Sequence, residues 1–96
     1  MKNFTVIFSP IAIEDAEQSV NFYEDKQVGL GKRFALQLQT TLIGIKKNPF
    51  FGTTRYDDIR CARIKKFPYL VHYHINEDEL LVTIIAVYST YKEALW

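Results

Sequence analysis

The chain has 96 residues, 48% of them hydrophobic and 24% charged, with a formal net charge of +1. That length suits one hydrophobic core, so residues 1–96 are expected to form a single domain, and the balance excludes a disordered polymer because burial can offset the entropy of ordering. So small a net charge excludes nucleic-acid binding by bulk attraction, and the longest apolar stretch, residues 80–88, falls well short of the roughly 20 residues of a membrane-spanning helix.

Met1, Lys2, Asn3 and Phe4 lack the apolar run of an export signal. Cys61 is the one cysteine, so no internal disulfide can form. Both features suit a reducing, cytoplasmic setting. The total charge hides a segregation: two lysines face five acids in residues 1–30, nine Lys/Arg face two Asp in residues 31–73, and one lysine faces four acids in residues 74–96. A basic middle of this kind attracts phosphates or an acidic protein segment locally.

Residues 4–8 (Phe-Thr-Val-Ile-Phe) are β-branched and aromatic, which predicts a first strand. Ser9-Pro10 then starts a helix, the serine as N-cap and the proline at the first helical position. Ile13, Ala16, Val20 and Tyr23 recur at spacings of three and four as its buried stripe, with Glu14, Asp15, Glu17 and Gln18 on the other face. Gly29-Leu30-Gly31 interrupts the pattern, and a second helix over residues 32–47 buries Phe34, Leu38, Leu42 and Ile45. Asn48-Pro49 ends it, since the residue before proline avoids the α region. After a loop with Gly52, residues 59–64, 69–75 and 80–88 read as three strands, separated by Phe67-Pro68 and by the polar turn Asn76-Glu77-Asp78-Glu79. The strand over 59–64 is expected at an edge because arginines interrupt its alternation, and the doubly apolar last strand is expected at the centre, with Leu81, Ile85 and Val87 on one face and Leu80, Val82, Ile84 and Ala86 on the other. The expected class is α+β, in the order β-α-α-β-β-β, with a helical hairpin packed on a small, mainly antiparallel sheet.

Several residues in this order together resemble the RelE/ParE toxins of bacterial type II toxin-antitoxin systems (plasmid stabilisation proteins) over residues 4–96. The carriers are Phe8-Ser9-Pro10, Ala12 with Asp15, Leu30-Gly31 with Phe34, Asn48-Pro49, Ile59-Arg60, Phe67-Pro68-Tyr69, Tyr73, Ala86-Val87 and Trp96. The resemblance implies a toxin held inactive by a cognate antitoxin, and two mechanisms: RelE-like cleavage of messenger RNA on the ribosome, or ParE-like inhibition of DNA gyrase. It also admits a degenerate member that binds a partner without harm. RelE-like nucleases usually bring an arginine into the C-terminal stretch, where residues 89–93 here are Ser-Thr-Tyr-Lys-Glu. With Lys92 as the only cation there, the chain reads as ParE-like rather than RelE-like, and whether it is an enzyme stays open.

Arg55, Arg60, Arg63, Lys65 and Lys66 are the candidate binding cluster on one strand and its flanks, joined by Tyr88 and Tyr91. RNA cleavage through the 2′-hydroxyl requires a base, cations on the phosphate and an acid for the leaving oxygen, so a ribonuclease would draw on Arg60, Arg63, Lys65 and Tyr88. The bland alternatives are a solvated edge strand and packed tyrosines. His72 and His74 are expected on the same side of their strand but lack a third ligand, so no metal and no cofactor are expected. Cys61 reads as a packed thiol rather than a nucleophile. Phe50-Phe51 is either an exposed contact or a cap on the core.

Overall fold

The computed structural model describes residues 3–90. In chain order these form β1 (Thr5–Phe8), α1 (Pro10–Lys26), α2 (Leu30–Lys47), a short 3-10 turn (Pro49–Phe51), β2 (Thr53–Tyr56), β3 (Ile59–Arg63), β4 (Tyr69–Asn76) and β5 (Leu81–Ser89). The sheet order is β1-β5-β4-β3-β2. β1 runs parallel to β5 and every other pairing is antiparallel. The expected α+β arrangement, two helices on a small mainly antiparallel sheet, is the observed one, with β2 as an additional strand; the last strand, expected at the centre, is interior between β1 and β4, and β4 holds the centre.

β2 corrects the placement of the arginine-bearing strand. β3 is not an edge: it pairs with β4 on one side and β2 on the other. The hairpin joining β2 to β3 turns on Asp57 and Asp58, at φ of 41° and 65°. Two successive left-handed residues make the tight turn whose twist matches that of paired strands, and aspartate tolerates the conformation better than most side chains. All four β2 residues are exposed, so no hydrophobic alternation marks the strand.

Both helices pack on one face of the sheet. Ala12 of α1 and Phe34, Leu38 and Ile45 of α2 share a core with Ala62, Ile64, Val71, Tyr73, Val82, Ile84 and Val87 of the sheet and its margin. In α2 the expected stripe is the buried one, with Leu42 half-buried against the core. In α1 the expected Ala16, Val20 and Tyr23 pack half-buried against the core, whereas Ile13 is 49% exposed and Ala12 and Ser19 are buried. Small residues face the sheet there, which lets α1 lie close to β5.

The turn between the helices depends on Glu24. Gly29 sits at φ 88° and provides no side-chain cap for α2. The Glu24 carboxylate accepts instead from the Gly29 amide at 2.9 Å and the Gly31 amide at 3.1 Å, placing negative charge where the start of a helix favours it. Gly31 also keeps the helices close, since a Cβ there would lie 2.6 Å from the Val20 carbonyl oxygen.

A β-bulge decides which way the end of β5 faces. His72 pairs with Ala86 and Tyr73 with Ile84, leaving Ile85 as an extra residue. The inserted residue reverses the alternation. Val82 and Ile84 lie in the helix-side core before it and Val87 after it, whereas Ala86 and Tyr88 fall on the opposite face beside His72 and Leu70. This corrects the expected alternation, which grouped Ala86 with Val82 and Ile84. The N-cap of α1 and a residue of the helix bond the backbone at the bulge: the Ser9 hydroxyl donates to the Ile85 carbonyl at 2.9 Å, and the Val87 amide donates to Asp15 Oδ2 at 3.0 Å. Ser9 also accepts from the Ala12 amide at 3.0 Å as the expected N-cap.

Candidate functional site

The candidate cations are divided by strand alternation. Arg60 lies on the helix side of β3, in register with Tyr73, and its guanidinium donates to the Gly52 carbonyl at 2.7 Å and the Phe50 carbonyl at 3.1 Å while lying 5.4 Å from the centre of the Phe50 ring. It therefore clamps the 3-10 turn that follows α2. Arg63 is exposed at the end of the same strand, three residues on and so on the other face. Lys65 and Lys66 are exposed in the turn that follows, and Arg55 is exposed on β2. The expectation of a single cluster is thus corrected: Arg60 is engaged with internal carbonyls, and Arg55, Arg63, Lys65 and Lys66 are the exposed cations. Tyr91, Lys92 and Trp96 lie outside the described residues.

Tyr73 completes the clamp. Fully buried, it donates its hydroxyl proton to the Pro49 carbonyl at 2.6 Å and accepts from the Gly52 amide at 3.2 Å. Burial raises its pKa, against the opposing effects of the Gly52 hydrogen bond and the nearby Arg60 charge, so the phenol stays protonated and keeps donating. Of the neighbouring phenylalanines, Phe50 packs edge-on against Phe4 with centroids 6.1 Å apart and is 43% exposed, and Phe51 is 53% exposed. Phe50 thus both caps the core and reaches the surface.

The face opposite the helices holds a second group of titratable side chains. Cys61 and His72 are paired across β3 and β4, with Sγ 3.3 Å from Nδ1, and the Tyr56 hydroxyl lies 3.4 Å from the same nitrogen. The Tyr88 ring meets the His72 ring at 5.0 Å. His72 is fully buried, and its pKa is pushed down to about 4, by burial first and by the Arg55 charge second. It is a neutral imidazole at pH 7 and a weak base. Burial also raises the Tyr56 pKa, with Cys61 and Tyr88 adding to the effect. Sequence reasoning named Cys61, His72 and Tyr88 separately and missed Tyr56; the cross-strand register that joins them is not visible in the sequence.

His72 and His74 differ: one is buried and the other exposed. Among the described residues no group of three or more His, Cys, Asp and Glu side chains could hold a metal ion. No helix among them is long and apolar enough to cross a membrane.

The family model for the ParE toxin of type II toxin-antitoxin systems, parDE, matches residues 6–92. No curated protein sequence matches the chain. Among solved structures, the chromosomal ParDE toxin-antitoxin system of P. aeruginosa has a chain similar in fold at 13% identity and TM-score 0.63, covering 90% of this chain and 95% of that one. The RelBE2 toxin-antitoxin complex of Mycobacterium tuberculosis gives 19% identity and TM-score 0.68, covering 93% of each chain. The isolated E. coli RelE toxin gives 18% identity and TM-score 0.67, covering 98% of this chain and 96% of that one. Identities this low carry the fold alone, whereas the family model spans nearly the whole chain: the protein belongs to the ParE toxin family of type II toxin-antitoxin systems.

Proposed function

We propose that this toxin acts by binding DNA gyrase and inhibiting it, with a cognate antitoxin holding it inactive. The observation that carries the reading is the division of the cations. RNA cleavage needs a base, phosphate-binding cations and an acid converging on one ribose and its phosphate. Here Arg60 is committed to backbone carbonyls, and the histidine nearest the candidate tyrosine is buried with a pKa near 4. What remains, Arg55, Arg63, Lys65, Lys66 and Tyr88, suits a protein-binding surface, continued by Tyr91 in the sequence. The match to the ParE family model supports the same reading.

Purified toxin is expected to reduce DNA supercoiling by gyrase or to trap its cleavage complexes, and Arg63→Glu to weaken the effect. Unchanged supercoiling and unchanged cleavage-complex formation would remove the proposal. An antitoxin segment mixing acidic and apolar residues would cover the exposed cations. Relatives of similar fold occur in toxin-antitoxin complexes from P. aeruginosa and M. tuberculosis.

A ribosome-dependent endonuclease is the second reading, favoured by the placement of Tyr88 and Arg63 on the same face of the sheet and by the similarity in fold to RelE. Primer extension on translated messages separates the two, since codon-positioned cuts arise only from the nuclease. Induced expression without the antitoxin tests for a harmless member, which growth arrest excludes.

A further inference from the structure

A recess of about 410 Å³ lies between α1 and the adjoining ends of β4 and β5, walled by Asp15, Gln18, Ser19, Phe22 and Tyr23 of the helix and by Tyr69 across from it. It shares no residue with the exposed cations, Tyr88 or Tyr91, on which the gyrase reading rests. Its size falls within the range of about 300–1,000 Å³ usual for small-molecule sites.

The polar side chains of the wall have protons committed elsewhere. Ser19 donates its hydroxyl to the Asp15 carbonyl at 2.7 Å, and Gln18 directs its amide nitrogen to Glu14 at 3.1 Å. What the two hold toward a guest is chiefly oxygen. Asp15 is the one charged side chain of the lining among the described residues. The Val87 amide occupies a single site on its Oδ2, and a carboxylate accepts about four hydrogen bonds, so capacity remains. The rest of the wall is aromatic and fixed by packing. Tyr23 meets Phe22 edge-on at 5.2 Å and Tyr69 at 5.8 Å, and stacks on the buried Phe34 at 5.3 Å. Phe22 already carries the Lys26 ammonium 4.7 Å from its ring centre, so this group of rings accepts cations.

We propose that the recess binds a small organic molecule through a guanidinium group, which Asp15, Gln18 and Ser19 accept from while the rings of Phe22, Tyr23 and Tyr69 cover its flat face. Acceptors, one negative charge and aromatic walls together select that group. A guanidinium has five N–H donors in one plane, no acceptor, and a face that stacks on rings. A primary ammonium matches the charge but gathers its three donors at one point, and an anion is opposed by Asp15. Size favours a free molecule, since one arginine side chain of a partner would leave the recess partly empty.

Calorimetric titration of the full chain tests this with benzylguanidine, its amine analogue benzylamine and its neutral analogue benzylurea. Benzylguanidine is expected to bind saturably, benzylamine more weakly, and benzylurea at least about tenfold more weakly, equivalent to about 1.4 kcal/mol. Asp15→Asn, which removes the charge, should weaken benzylguanidine by a similar factor. Gln18→Lys, at an exposed position, sets a cation on the wall and should abolish binding; circular dichroism establishes that both variants fold. Failure of benzylguanidine to bind, equal binding of benzylurea, or wild-type affinity in the variants would each overturn the proposal. Tighter binding of the tripeptide Gly-Arg-Gly would overturn it in favour of an arginine on a partner protein. Binding that emerges only in Lys92→Ala would make the chain's own lysine the occupant and overturn it as well. A toxin inert toward gyrase that still binds benzylguanidine would refute the gyrase reading alone.

Discussion

Asp15 and Val87, 72 residues apart in the chain, are joined by a hydrogen bond of 3.0 Å from the Val87 amide to the Asp15 carboxylate. With the Ser9 hydroxyl on the Ile85 carbonyl, it ties the first turns of α1 to the bulge in β5. The bulge reverses the alternation of β5, so these two bonds help to hold Tyr88 on the face that carries His72. Asp15→Ala is expected to destabilise the fold by roughly 1–3 kcal/mol, because it strands a backbone donor. Urea unfolding measures the loss, and Asp15→Asn, which keeps an acceptor, should lose less. Equal losses in the two variants would show that the carboxylate is not acting as the acceptor.

His72 makes stability depend on pH. Its pKa in the fold, about 4, lies below the ordinary value of 6.5, so between those values the unfolded chain binds a proton that the folded chain refuses. Stability from this group is present above about pH 6.5 and declines as pH falls toward 4, by up to about 1.4 kcal/mol per pH unit. His72→Gln should flatten that slope in urea unfolding at pH 7 and pH 5. An imidazole titration in NMR with a midpoint near 6.5 would contradict the buried, neutral assignment.

The clamp on the turn after α2 should be sensitive to single atoms. Tyr73→Phe removes the donor to the Pro49 carbonyl and the acceptor for the Gly52 amide, and a loss of roughly 1–3 kcal/mol is expected for the stranded groups. Gly52→Ala places a methyl against the Tyr73 hydroxyl and should cost at least a similar amount, as overpacking does, about 1–3 kcal/mol. Thermal denaturation of both variants checks this, and an unchanged midpoint would rule out the clamp.

Arg60 and Arg63 should separate by phenotype. Arg60→Ala removes a guanidinium that binds two internal carbonyls, and is expected to lower stability by about 1–3 kcal/mol. Arg63→Ala changes an exposed side chain and should leave stability within about 0.5 kcal/mol, while weakening binding to the target or antitoxin. Chemical denaturation read beside a growth-arrest assay distinguishes the two, and the reverse pattern would overturn the division of the cations.

Much of the fold was legible because it rests on short-range rules. Ser9-Pro10 marks the start of α1, the spacing of Phe34, Leu38 and Ile45 marks the buried face of α2, and the apolar run after residue 80 marks an interior strand. β2 was not legible, because four exposed residues carry no burial pattern and Asp57-Asp58 lacks the glycine that usually announces such a turn. Ala16, Val20 and Tyr23 of α1 pack against the core as expected, but periodicity alone does not resolve that Ala12 and Ser19 are buried while Ile13 is exposed.

The candidate site divides in the same way. Residue types alone determined that Arg55, Arg60, Arg63, Lys65 and Lys66 form a basic stretch, that Cys61 lacks a disulfide partner, and that the order of elements resembles the RelE/ParE toxins. Only the tertiary structure decided that Arg60 turns inward while Arg63 faces out, and that Tyr56, Cys61, His72 and Tyr88 meet. Those outcomes depend on register, and one inserted residue at Ile85 reverses the facing of the residues that follow it in β5. Composition and local periodicity are sums over neighbours in sequence, whereas register is set by partners tens of residues away.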